Sequence, residues 1–172
     1  MRPPLVVPVA DLLGRPGARR AVAIEAPLTG LVVTASRVDP QRPVNIDVVL
    51  EWVSDGILAS GCVLATWVGD CRRCLRPAQG LLEAKVRELF ERQPRDGESY
   101  RLGSDSIDLA PMTRDALLLD LPLAPLCSPS CAGLCVSCGA NLNDGPCPCP
   151  TAAGDPRWAA LDGLHRNTLH EN

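Results

Sequence analysis

A chain of 172 residues, 46% of them hydrophobic, is long enough for one core with a smaller appendage and too apolar for wholesale disorder. Its net charge of −3 argues against a broadly basic surface that grips nucleic acid by phosphate neutralisation along its whole length. Nine cysteines in a chain of this size demand a chemical explanation.

In chain order, residues 1–30 read as an arm of little periodicity with a short strand at Ala21–Ala26. Its opening, Met1-Arg2-Pro3-Pro4-Leu5-Val6-Val7-Pro8, has too short an apolar run for a secretory leader, and no later stretch approaches membrane-spanning length. Val44, Ile46, Val48, Leu50 and Trp52 alternate with Asn45, Asp47 and Glu51, the period of a half-buried strand. Ser54-Asp55-Gly56 predicts a tight turn with the glycine at positive φ. Ile57 to Val68 is apolar on both faces and reads as a central strand, with Cys62 as a small buried hydrophobe inside it. Gly80 to Arg92 reads as a further strand, a helix being the alternative, and Gln93–Ser104 as a polar loop. A helix begins near Asp108 as N-cap, tolerates Pro111 in its first turn and stops at Pro122. Asp155-Pro156 caps a final short helix carrying Trp158, Leu161 and Leu164.

The expected fold class is therefore α+β. A mostly antiparallel β domain spans 31–126 with one central helix near 108–121. A cysteine-rich zinc-binding segment follows at 127–150, then a short C-terminal helix and tail at 151–172.

The cysteines fall into two groups. Cys71-Arg72-Arg73-Cys74 follows the second strand directly, where two thiolates can converge on one tetrahedral metal. The second group runs Cys127-x3-Cys131-x3-Cys135-x2-Cys138-x8-Cys147-x-Cys149, with Gly139 freeing the backbone to turn back towards a metal. Without a leader, such spacing points to metal ligation in a reducing cytosol rather than to disulfides. The partition expected is Cys71, Cys74, Cys127 and Cys131 for one zinc, and Cys135, Cys138, Cys147 and Cys149 for another. One zinc on the distal cluster, with Cys71 and Cys74 as free thiols, is the rival. Two zinc–thiolate centres would bring the net charge to roughly −7.

Catalysis finds little support. A catalytic zinc keeps an open position and favours His or carboxylate ligands, and the two histidines, His165 and His170, lie near the end of the sequence. No H-x-E precedes a cysteine pair, and no P-loop, G-x-G-x-x-G or G-x-S-x-G occurs. Cys131-x3-Cys135-x2-Cys138 matches radical-SAM spacing, but only 34 residues follow where a large barrel is needed. A thiol redox sensor is the alternative function, since Arg72, Arg73 and Arg76 would favour thiolate at Cys71 or Cys74. The same three arginines are candidates for RNA or partner contact: residues 71–101 hold eight Lys/Arg against five Asp/Glu, whereas 102–172 hold three against eight.

A set of ordered pieces resembles a known family. These are Asp55-Gly56, Cys71-x-Arg73-Cys74-Leu75, Glu88-Leu89-Phe90 and Ile107-Asp108-Leu109. Arg114-Asp115-Ala116-Leu117-Leu118-Leu119 and Leu121-Pro122-Leu123-x-Pro125-Leu126-Cys127 come next. Gly133-Leu134-Cys135-x2-Cys138-Gly139-x-Asn141-Leu142-Asn143 and Asp155-Pro156-Arg157-Trp158-x-Ala160-Leu161 complete the set. Together they resemble the YceD family of large ribosomal RNA subunit accumulation proteins. The resemblance implies a cytoplasmic, non-enzymatic factor needed for normal levels of 23S ribosomal RNA. The expected partner is precursor large-subunit rRNA or, from the acidic C-terminal half of the chain, a basic large-subunit ribosomal protein, with no membrane and no small-molecule substrate. The resemblance supplies no catalytic residue.

Overall fold

Alternating side chains build one dominant sheet. In the computed structural model, residues 5–54, 56–94, 97–150 and 157 are described. They contain β1 (Val6–Pro8), β2 (Arg19–Ala26), β3 (Ser36–Val38), β4 (Val44–Val53), β5 (Gly56–Asp70), β6 (Pro77–Glu91), β7 (Tyr100–Arg101), β8 (Ser106–Asp108) and α1 (Ala110–Asp120). The main sheet runs β2-β4-β5-β6-β7, with β3 pairing β5 beyond the end of β4. A separate ladder joins β1 to β8. By backbone contacts the chain divides into two compact units, Met1–Cys131 and Ala132–Asn172.

The expectation of an α+β fold is corrected: among the described residues eight strands and a single helix make a mostly β protein. From Pro122 to Pro150 the chain is irregular, its path set by turns around cysteines rather than by main-chain ladders. The C-terminal helix expected after Asp155 lies outside the described residues. The segment read as an arm supplies β1 and β2, and β2 pairs with β4 along its whole length.

In β4 the alternation holds: Val44, Ile46, Val48, Leu50 and Trp52 are buried. β6 is a strand, because Ala78, Leu82, Ala84, Val86 and Phe90 recur at even spacing and all point inward. α1 packs on β5 and β6 and buries Met112, Thr113 and Leu117. The β4–β5 turn departs from expectation. Ser54 carries a positive φ of 45°, whereas Gly56 opens β5, where a Cβ would lie 2.6 Å from the Phe90 carbonyl oxygen. At the helix start Leu109 is the N-cap, while the Asp108 carboxylate accepts the Ala110 N–H at 2.9 Å from one position earlier. Cys62 faces outward and is half-buried, since its register sets it between Asp47 and Lys85 on the polar face.

The Tyr100 hydroxyl donates to the Asp115 carboxylate of α1 at 2.9 Å, and its ring lies against Phe90 with centroids 5.4 Å apart. Burial, then the hydrogen bond and charge of Asp115, then the charge of Glu88, hold this phenol above the usual tyrosine range. A raised folded pKa adds stability that is fully present below the unfolded value of about 10 and is lost as pH rises past it. Thermal unfolding followed from pH 8 to 11 should therefore show Tm falling on the alkaline side. Tyr100→Phe should flatten that limb while costing about 1 kcal/mol at neutral pH. An unchanged alkaline limb would show that Tyr100 is not its source.

Candidate metal centres

β5 and β6 pair over their full length, from Gly56 opposite Glu91 to Asp70 opposite Pro77, so residues 71–76 form the loop at the far end of a long hairpin. That loop is a closed knuckle. The Cys71 N–H donates to the Arg76 carbonyl at 2.8 Å, and the Leu75 N–H donates to the Cys71 carbonyl at 2.9 Å. The arrangement turns Cys71 and Cys74 to the same side, both buried. The chain after α1 passes beside them, held where the Arg72 N–H donates to the Pro125 carbonyl at 2.9 Å. It delivers Cys127 and Cys131, with Arg73 Nη1 donating to the Cys131 carbonyl at 2.9 Å.

The four sulfurs all lie within 4.8 Å of one another. Cys71 Sγ is 3.7 Å from Cys131 Sγ, and Cys74 Sγ is 3.5 Å from Cys127 Sγ. A tetrahedron with metal–sulfur bonds of about 2.3 Å has edges of about 3.8 Å, so the donor set matches a single four-coordinate ion. Burial pushes the Cys71 thiol up, but the backbone amides of Cys127, Cys74 and Arg73 and the Cys74 thiol outweigh it and hold the group at about 6. Hydrogen bonds with Cys74 and Cys131, then burial, push Cys127 up to about 12.

The second unit repeats the device. The Cys135 N–H donates to the Ala140 carbonyl at 2.8 Å, and the Gly139 N–H donates to the Cys135 carbonyl at 2.9 Å. The Asn141 side chain accepts the Asn143 N–H at 2.9 Å, and the Asn143 side chain accepts the Ala132 N–H at 2.8 Å. This packs the turn that leads back to Cys147 and Cys149. Their sulfurs and those of Cys135 and Cys138 again lie within 4.8 Å of one another. The backbone amides of Cys138 and Ser137 hold the Cys135 thiol down at about 6, and the Cys138 sulfur, burial and the Cys135 sulfur push Cys149 up to about 12. The two four-cysteine groups can therefore each hold a metal ion.

The residue after the second cysteine of each knuckle has a positive φ, and it differs between the two. Where the second has Gly139 at a φ of 73°, the first has Leu75 at a φ of 60°. A side chain there costs about 1 kcal/mol that glycine avoids. Leu75 is nonetheless 67% exposed. Sequence reading missed this residue, although the parallel between Cys74-Leu75 and Cys138-Gly139 was its available signal. It also missed Arg37, which reaches the knuckle's surroundings only because β3 pairs with the end of β5, at Gly69, Val68 and Trp67. Arg72, Arg73 and Arg76 are all exposed around the knuckle, and Arg73 also serves the backbone of Cys131.

The sequence matches the family described as "Large ribosomal RNA subunit accumulation protein YceD" over residues 59–165. The chain belongs to the YceD family. The matched stretch contains both cysteine groups, so the YceD match and the candidate centres coincide in sequence. An uncharacterized protein of Mycobacterium tuberculosis is 36% identical over 168 residues, covering 92% of this chain and 80% of the relative. One of Mycobacterium leprae is 32% identical over 170 residues, covering 94% and 77%. A Zea mays protein named "Large ribosomal RNA subunit accumulation protein YCED homolog 1, chloroplastic" is 28% identical over 158 residues, covering 72% of this chain and 54% of that protein. No solved structure matches the chain.

Proposed function

We propose that the chain is a non-enzymatic, zinc-dependent factor for accumulation of large-subunit ribosomal RNA. It acts in the cytoplasm by binding precursor rRNA or a large-subunit ribosomal protein. Membership of the YceD family carries this reading. In it, Cys71, Cys74, Cys127 and Cys131 hold one zinc, and Cys135, Cys138, Cys147 and Cys149 hold the other. Zinc suits an all-thiolate tetrahedron, and a four-iron cluster would need its thiolates spread wider to embrace four metals. Arg72, Arg73 and Arg76 contribute the partner contact, with Arg73 doing so alongside its backbone role. Among the described residues no helix is long and apolar enough to cross a membrane. A redox sensor at Cys71 or Cys74 is disfavoured because both side chains are buried and offer an oxidant almost no surface.

Depletion of the protein in its native cell tests the function. Mature 23S rRNA should fall relative to 16S rRNA, and an unchanged ratio would overturn the reading. Metal content tests the centres: two zincs per chain and a colourless solution are expected, and bound iron with a brown spectrum would overturn the assignment.

A further inference from the structure

A groove beside the first knuckle is lined by Val32, Thr34, Arg37, Asp70, Arg72 and Leu75. Two features set it apart. Val32 and Leu75 expose 60% and 67% of their surfaces, an apolar pair in water within one groove. Leu75 does so from a left-handed backbone position that the second knuckle fills with glycine, so the folded state keeps this side chain against local preference. Backbone strain retained at an exposed apolar residue points to a contact made by that residue. The charges around it set the partner's chemistry. Arg37 and Arg72 are exposed, and among the described residues no carboxylate pairs with either, whereas Arg19, Arg20 and Arg42 are bound to Glu51, Asp11 and Asp39. Two guanidinium groups against the one carboxylate of Asp70 leave the groove net positive, which repels a basic ribosomal protein and suits a phosphate backbone.

We propose that Leu75, Arg37 and Arg72 form the surface by which the protein takes hold of RNA. The phosphates lie against the two guanidinium groups, and a ribose or base edge lies against the Leu75 side chain. The proposal rests on the reading that the chain acts by binding in rRNA accumulation, and it assigns the first knuckle to RNA rather than to a protein.

The test uses the full metal-loaded chain with naked, transcribed 23S rRNA as probe, in filter binding over a series of salt concentrations. Leu75→Gly should keep its metal content and hold or raise Tm by up to about 4 °C, yet bind roughly tenfold more weakly. Leu75→Met should restore binding. Arg37→Ala and Arg72→Ala should each weaken binding and reduce the salt slope by about one. If the wild type binds 23S rRNA and all four variants match it in affinity and salt slope, the assignment fails while the functional reading stands. If the wild type binds only in the presence of an added large-subunit protein, RNA contact at this surface is overturned. The rRNA ratio after depletion then judges the functional reading separately.

Discussion

Stripping the purified protein with a chelator should unfold the segment 132–150 while leaving β2 to β7 assembled. Among the described residues, the segment 132–150 offers almost no alternative source of stability. It is a set of turns with one isolated bridge, Leu134 to Asn141, and none of its cysteines is fully buried. Structural zinc contributes roughly 10–16 kcal/mol of apparent binding energy, as much as the whole stability of an ordinary domain. A segment this poor in apolar burial has nothing comparable to set against its loss. The first unit keeps its sheet because Phe90, Ile57, Leu50 and Ile46 are fully buried without reference to any metal. Chelation there should instead loosen the segment from Pro125 to Cys131. Hydrogen exchange read by mass spectrometry checks both statements. Retained protection over 132–150 after complete metal removal would show that the distal group is not a structural metal site. Because the bound form needs thiolates, metal should also leave more readily as pH falls.

Gly61→Ala should be the most damaging single methyl group in the protein. Gly61 sits mid-way along β5, opposite Val48 of β4 and Val86 of β6. A Cβ at this position would overlap the Asp47 carbonyl oxygen and lie 2.8 Å from the Val48 Cα. Both obstacles are backbone of the neighbouring strand, which cannot swing aside as a side chain can. Relief requires β4 and β5 to part at the centre of the sheet, where Val48 and Val63 are buried. The cost should be about 3 kcal/mol, the upper end of ordinary overpacking. For a chain of this size that lowers Tm by roughly 6–12 °C. Cys62→Ala, one residue on and facing outward, should stay within about 1 kcal/mol. Urea unfolding of both variants gives the comparison. Equal midpoints would mean that the strands have room between them.

The strands were legible wherever one face is wet. Val44 to Trp52 spells its burial directly, since each buried residue is followed by one that meets water. β6 was legible only as strand or helix, because Leu81 and Leu89 break its alternation with apolar residues on the outer face. The long hairpin settles the matter through pairing with β5, a non-local fact that no window of sequence contains. The fold class was overdrawn towards helix because the one helix, Ala110–Asp120, was set level with a sheet whose strands make up most of the described regular structure. Local signals also misplaced the turn glycine: Gly56 is required by the approach of Phe90 from another strand, not by its own φ. The knuckles were visible in C-x-x-C spacing, because two thiolates on one short loop leave few other geometries. What spacing could not reveal was the company of the first knuckle. Arg37 and Val32 arrive by β3 pairing, and the strain at Leu75 appears only when the two loops are set side by side.

The two cysteine groups differ in how far along the chain their members lie. Cys71 and Cys131 are 60 residues apart, and Cys74 and Cys127 are 53 apart. Cys135 to Cys149 spans a stretch short enough to close on itself. Loop entropy alone separates the two cases by only about 1 kcal/mol. The larger difference is one of sequence in time. The distal group needs only its own short stretch to gather a metal, whatever the rest of the chain has done. The proximal group must wait until the β5–β6 hairpin is paired and the segment after α1 has come alongside it. A metal bound there would enter a fold that is already finished and would close it like a latch. Losing that latch should shorten the lifetime of the folded protein and leave the rate of folding almost untouched.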